Sequence, residues 1–181
     1  MRDSWKLWDS AFSADFCNDV INKGRERELT PGTVFSEKDY KAVESIRKSN
    51  VTWMEDPDIK LSVLKYVFLA NETFNFDIDL LPGLQFTEYV EGSYYNLHHD
   101  VDYNSDSPQD RKLSISVQLS DPYSYEGGDL VLTSSTRPAT QDLRKQGSIL
   151  VFPSYLQHFV NNVTTGTRYS LVGWVEGPRW R

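Results

Sequence analysis

The hydrophobic rhythm of the chain changes near its midpoint. In the first part apolar residues recur at helical spacing, and Phe16, Cys17, Val20 and Ile21 form one face, as a period of 3.6 residues requires. Ser13 stands ahead of them as an N-cap and Asp15 favours the positive helix end. Phe12 is placed to staple onto Cys17, and Gly24 is placed to stop the helix. A second helix is predicted from Asp56-Pro57, with proline at the first helical position, to about Asn71. Its apolar residues Leu61, Val63, Leu64, Val67, Phe68 and Leu69 leave only a narrow polar side. Such a helix is expected to pack under a sheet.

From Leu84 onward the spacing becomes alternating, which marks strands joined by turns. Leu113-Ser114-Ile115-Ser116-Val117-Gln118-Leu119 is apolar at every second place and reads as a half-buried strand. Further strands are predicted at 84–89, 95–100, 129–132, 148–152 and 168–175. Gly92 permits a bend or bulge, and Gly127-Gly128 reads as a hairpin turn. The segment 102–111 is polar and rich in turn residues, either a passive connection or a lid. Helices followed by many short strands predict a mainly β, α+β architecture, a helix-supported jelly roll or barrel. With no repeat or linker in view, 1–181 is expected to be one domain, with a helical support layer in 1–80 and a core at 84–178.

Composition narrows the function. The 181 residues, 39% hydrophobic and 13% aromatic, suffice for one core and one site. No apolar run is long enough to span a membrane, and the first residues lack a secretory pattern, so a soluble cytoplasmic protein is expected. The three Asn-x-Thr sequons at Asn50, Asn71 and Asn162 therefore carry no functional weight. Cys17 is the sole cysteine, which excludes an intrachain disulfide and a thiolate cluster, and it reads as a buried apolar residue. A net charge of −7 opposes binding to a polyanion, so no nucleic-acid partner is expected.

Two of the three histidines lie in Asn96-Leu97-His98-His99-Asp100-Val101-Asp102. On a strand His98 and Asp100 would project to one side, with Leu97, His99 and Val101 on the other. His98 and Asp100 can therefore hold one ion. His158 follows the apolar strand Ile149-Leu150-Val151-Phe152, and a folded sheet must bring it to them. Two imidazoles and one carboxylate on one side of an ion leave open positions, the arrangement that non-haem iron(II) uses. A catalytic zinc hydrolase stays open as an alternative. His99, on the opposite face, is read as structural or as support for the ligands.

The stretch Tyr89-Val90-Glu91-Gly92-Ser93-Tyr94-Tyr95-Asn96-Leu97-His98-His99-Asp100 resembles the segment of 2-oxoglutarate oxygenases related to the prolyl 4-hydroxylase catalytic domain. Gln118-Leu119-Ser120-Asp121-Pro122 and Tyr125-Glu126-Gly127-Gly128-Asp129-Leu130 resemble a strand and an acidic hairpin of the same family. Gly147 to Ser154 leading to His158, and Val163 to Leu171, resemble its second ligand strand and its cosubstrate strand.

The resemblance implies a double-stranded β-helix binding iron(II) through His98, Asp100 and His158. It also implies 2-oxoglutarate and dioxygen as cosubstrates, with ascorbate as a further cofactor. Arg168 takes the place of the residue that binds the distal carboxylate of 2-oxoglutarate; a guanidinium fork suits a carboxylate, and Ser170 shares its strand face. Tyr89 is expected to donate its hydroxyl to the cosubstrate and Tyr95 to line the pocket. Arginine rather than lysine at 168 points to the bacterial and viral branch, including a phage protein in a bacterial host. The implied reaction is hydroxylation of an unactivated C–H bond with release of succinate and carbon dioxide. A prolyl residue of a peptide or protein is the first choice of substrate. A free amino acid or other small molecule, or a non-catalytic barrel that only binds, are the alternatives. The nucleic-acid demethylating relatives carry a second arginine where this chain continues Tyr169-Ser170-Leu171-Val172. Neither the oligomeric state nor the exact substrate is legible.

Overall fold

The alternating segment around Leu113 to Leu119 forms the middle of a large antiparallel sheet, in a computed structural model that describes residues 4–36, 39–103 and 105–180. In chain order the elements are β1 (Lys6–Trp8), α1 (Ala14–Arg25), β2 (Thr30–Pro31), β3 (Val34–Ser36), β4 (Asp39–Lys41), β5 (Arg47–Lys48), β6 (Asn50–Met54), α2 (Pro57–Phe74), β7 (Leu84–Tyr89), β8 (Tyr94–His98), β9 (Gln109–Gln118), β10 (Tyr125–Gly127), β11 (Leu130–Leu132), α3 (Thr140–Arg144), β12 (Ile149–Pro153), β13 (His158–Val160), β14 (Val163–Gly166) and β15 (Arg168–Pro178). The larger sheet runs β1-β12-β9-β15-β7-β6-β2 and the smaller β11-β13-β8-β5. The short ladders β10-β14 and β3-β4 complete the set. This is the expected mainly β jelly roll.

The two faces of the larger sheet bury different chemistry. Leu113, Ile115, Val117, Ile149, Val151, Leu171, Val175, Leu84 and Phe86 pack with Cys17 and Val20 of α1 and Ile59, Val63, Val67 and Ala70 of α2. Burying each aliphatic side chain contributes roughly 1.5–3 kcal/mol, so this outer layer fixes the sheet on which the site is built. The opposite face of the sheet meets Leu130, Leu132, Val160 and Val163 of the other strands, together with Tyr89, Leu150 and Phe152. Ser114 and Gln118 lie on this inner face and are buried. The polar half of the alternation in β9 therefore lines the interior of the barrel, because helices already cover the apolar half.

Both helices start as expected. Ser13 accepts from the Phe16 N–H, and Asp56 accepts from the N–H groups of Asp58 and Ile59 ahead of Pro57. The end of α1 differs from expectation. The helix continues to Arg25, and Gly24 lies inside it because a Cβ there would fall 2.6 Å from the Phe86 ring. Only one stripe of α2 is buried; Leu61, Phe68 and Leu69 face outward. Its apolar pattern was broader than the contact it makes.

The first eighty residues hold these helices, but they also supply strands to both sheets: β1 pairs with β12, β6 with β7, β2 with β6, and β5 with β8. Strands of two to five residues that complete a sheet built elsewhere leave too short an alternation to read. Gly127-Gly128 joins strands that pair with β14 and β13, not with each other, so the expected hairpin is a crossing between ladders. Strand β9 begins at Gln109, where Gln109, Asp110 and Arg111 pair with Pro178, Gly177 and Glu176; the irregular part of 102–111 is correspondingly shorter. Asn104 lies outside the described residues. No helix among the described residues is long and apolar enough to cross a membrane.

Candidate active site

Strands β8 and β13 set the two histidines face to face. His158 pairs directly with His98, but Val160 pairs with Tyr95, so Asn96 and Leu97 together oppose the single residue Phe159. This bulge shifts the alternation by one residue. Tyr95 and His98, three apart, both turn inward, while Asn96 and Leu97 are exposed. The bulge falls here and not at Gly92, whose positive φ of 80° serves the tight turn between β7 and β8.

Asp100 lies just beyond the end of β8, where its N–H donates to Ser154 O at 2.9 Å. It reaches the histidines through this bend, not through the strand alternation that the sequence suggested. One carboxylate oxygen lies 3.7 Å from His98 Nε2 and the other 3.5 Å from His158 Nε2. One donor atom from each of the three residues lies within 4.8 Å of the others. His98 Nδ1 contacts Asn96 O at 2.7 Å and His158 Nδ1 contacts Leu156 O at 3.0 Å. A carbonyl only accepts, so both Nδ1 atoms carry a proton and Nε2 is the atom that each ring turns toward the carboxylate. Burial, helped by His158, pushes the His98 imidazole down to about 4, leaving it in the neutral form that binds metal. Burial works against the Asp100 carboxylate, but His158, His98 and Arg111, with a hydrogen bond from Ser114, outweigh it and hold its carboxyl below the ordinary value. The Ser114 hydroxyl donates to Asp100 Oδ2 at 2.6 Å and lies 3.0 Å from Ser154 Oγ. This donor set fits a divalent transition metal with open positions, and a structural zinc cage would need a fourth ligand that the cluster lacks.

Across the barrel, β15 pairs Arg168 with Tyr89 of β7 and Ser170 with Thr87. Arg168 is 3% exposed, and its guanidinium carbon lies 5.5 Å from the Tyr89 ring centroid. Its Nε donates to Gln118 Oε1 at 3.1 Å, and among the described residues no carboxylate pairs with it. Gln118 is held in turn by its Nε2, which donates to Ser120 O and Tyr125 Oη. A buried guanidinium held by a neutral amide keeps its outer edge and its charge for a ligand. Tyr89, Tyr95, Ser114, Phe152, Arg168 and Ser170 line the same pocket as His98, Asp100 and His158. All seven pocket residues named from the sequence, Tyr95 included, thus face one cavity. His99 is exposed, its ring near Tyr103 at 5.3 Å between centroids, apart from the cluster.

In front of the cluster lies a second cavity of about 550 Å³, lined in part by Arg47, Trp53, Arg111, Trp174 and Tyr103. Sequence reasoning missed Ser114, Gln118, Arg47, Arg111 and Trp174. For Ser114 and Gln118 the signal was present, since they share the polar register of β9; Arg47 stands in a stretch without periodicity.

The comparisons agree with this geometry. The model of the 2OG-Fe(II) oxygenase superfamily matches residues 84–176, just over half of the chain. A PKHD-type hydroxylase of Prochlorococcus marinus strain SARG is 39% identical over 98 residues, spanning 52% of this chain and 41% of its own length. Against the first relatives the match thus spans about two-fifths of their length. A PKHD-type hydroxylase from strain NATL2A of the same species is 29% identical over 94% of this chain and 77% of its own. The crystal structure of a Pseudomonas putida prolyl-4-hydroxylase superposes with a TM-score of 0.72 at 23% identity, covering 98% of this chain and 94% of that one. The sequence match over the barrel strands and the shared architecture lead to one conclusion: this chain belongs to the 2OG-Fe(II) oxygenase superfamily.

Proposed function

We propose that the protein is an iron(II)- and 2-oxoglutarate-dependent dioxygenase that hydroxylates an unactivated C–H bond, with a prolyl residue of a peptide or protein as its substrate. The observation that carries this reading is the triad His98, Asp100 and His158 facing the carboxylate-free Arg168 across one pocket. In this reading the triad holds the metal, Arg168 and Ser170 receive the distal carboxylate of 2-oxoglutarate, and Tyr89 adds its hydroxyl. Iron(II) and 2-oxoglutarate, when bound, would supply the oxidising chemistry: the cosubstrate would leave as succinate and carbon dioxide, with one atom of dioxygen in the succinate and the other in the substrate's new hydroxyl. Ser114 fixes the carboxylate of Asp100, and Leu130, Phe152 and Val160 keep the pocket wall apolar.

The outer cavity supports a peptide substrate. The Arg111 guanidinium lies 4.1 Å from the Trp174 ring centroid, and Trp53 approaches the same ring at 6.3 Å. Among the described residues no hydrogen bond or ion pair engages the Arg111 guanidinium, so its side-chain N–H donors are available to backbone carbonyls. An indole face suits a pyrrolidine ring, as in grooves that bind proline-rich segments. The names of the PKHD-type and prolyl-4-hydroxylase relatives point the same way.

The test is a screen of peptides with iron(II), 2-oxoglutarate and ascorbate for a mass gain of one oxygen. A gain confined to proline-containing peptides supports the reading. A gain on free amino acids alone replaces the substrate, and metal-bound protein without any turnover indicates a barrel that only binds.

A further inference from the structure

We propose that Arg47, supplied by the N-terminal segment, is a positioning residue for the metal centre that acts on His98 through Tyr95. This rests on the reading of His98 as a metal ligand.

Arg47 is 6% exposed and lies outside the segment matched by the family model. Three neutral acceptors fix its guanidinium. Nε donates to Ser49 Oγ at 2.8 Å, Nη2 to Gln85 Oε1 at 2.9 Å and Nη1 to Thr33 O at 3.3 Å. The chain at Gly32 closes over it: a Cβ there would lie 2.5 Å from Arg47 Nε and 2.6 Å from Ser49 Oγ. Taking a charge out of water is costly even after relaxation, and no carboxylate among the described residues offsets it. A surface latch between β5 and β7 would not require such a residue.

What the guanidinium does contact is Tyr95, with its carbon 4.8 Å from the ring centroid. Tyr95 in turn stacks on His98, with centroids 3.5 Å apart and planes inclined by 11°. The bulge in β8 makes this stack possible, since without it residues 95 and 98 would point to opposite sides. The contacts on the His98 ring include the Nδ1 contact to Asn96 O, the tilted His158 ring and the stacked Tyr95 ring. Arg47 immobilises the Tyr95 ring. Contacts that orient a ligand typically change metal affinity 10- to 100-fold.

Arg47 is also a cation near a metal site, so removing its charge would relieve repulsion and mask the loss of positioning. Arg47→Lys avoids this: it keeps the charge but loses the planar, triply tethered fork. The probe is Co(II), bound without 2-oxoglutarate and read by its ligand-field absorption and by competition with a chelator. Arg47→Lys is expected to bind Co(II) about 10-fold more weakly with an altered spectrum. Tyr95→Leu should do the same, and adding Arg47→Lys to it should change little, because the path runs through Tyr95. Tyr95→Phe, which keeps the ring, should stay near wild type. Should Arg47→Lys not fold, Gln85→Met, which removes the acceptor of Nη2, takes its place with the same expected direction. Wild-type affinity and spectrum in Arg47→Lys would overturn the proposal, as would its full effect persisting in the Tyr95→Leu background. A raised KM for substrate with unchanged Co(II) binding would also overturn it, making Arg47 a substrate contact. Absence of Co(II) binding by the wild type, or binding untouched by His98→Ala, would instead bring down the metal reading itself.

Discussion

His98 and His158 occupy directly opposed positions on β8 and β13, with ring centroids 4.2 Å apart and planes inclined at 55°. Each imidazole donates from Nδ1 to the carbonyl two residues before it and turns Nε2 toward Asp100. The backbone thus selects the tautomer before any metal arrives. His98→Ala, Asp100→Ala and His158→Ala should each abolish iron(II) binding measured by calorimetry under anaerobic conditions. His99→Ala should bind as the wild type does, since that ring is exposed beside Tyr103. Ser114→Ala, which frees the Asp100 carboxylate, should weaken binding by roughly 10- to 100-fold. Loss of binding in His99→Ala with retention in His98→Ala would overturn the bulge-based register.

The cosubstrate side yields a separate expectation. A hydrogen bond to a charged group contributes about 1.5–3 kcal/mol, so Arg168→Ala should raise the 2-oxoglutarate concentration for half-saturation by roughly 10- to 100-fold. Arg168→Lys should be milder, because a point charge replaces a planar fork. Gln118→Leu should show a smaller rise, since it removes the acceptor that orients Arg168 Nε. Anaerobic titration of the iron-loaded protein with 2-oxoglutarate measures all three, and an unchanged midpoint in Arg168→Ala would remove Arg168 from the role.

Much of this site was legible because its parts recur at recognisable intervals, from Tyr89 through His98 and Asp100 to His158, Arg168 and Ser170. What was not legible had identifiable physical causes. The alternation in β9 shows two faces but not what covers each, so nothing in the sequence tells that α1 and α2 cover the apolar face and leave Ser114 and Gln118 inside the barrel. Nothing in Asn96-Leu97 announces the bulge, which is set by pairing with Phe159. Gly24 looked like a helix stop because glycine is common there, whereas its cause is a ring on another strand.

That contact gives a stability test. Gly24→Ala should gain about 1 kcal/mol of helix propensity, but the new Cβ would sit 2.6 Å from Phe86, and overpacking costs typically 1–3 kcal/mol. The clash should win. Urea unfolding should show a lower midpoint with an unchanged slope, and a raised midpoint would mean that the Phe86 ring moves aside freely.

Cys17 provides a check on the outer core. Burial pushes its thiol up to about 11, and it packs between α1 and the larger sheet with no exposed surface. The reactive thiolate forms only as pH rises through that value, so at pH 8 the folded protein should react with a thiol reagent far more slowly than the unfolded chain. Equal rates would show that α1 does not cover the sheet.

If the triad and Arg168 form one catalytic pocket for iron(II) and 2-oxoglutarate, the protein forms succinate. Purified protein is mixed with iron(II), 2-oxoglutarate, ascorbate and air, with and without a proline-containing peptide, and succinate is quantified beside Asp100→Ala and Arg168→Ala. Iron-dependent succinate should rise with the peptide, vanish in Asp100→Ala and fall steeply in Arg168→Ala at low cosubstrate. Succinate that forms equally in all three proteins, or none in a wild type shown to hold iron(II), would contradict it.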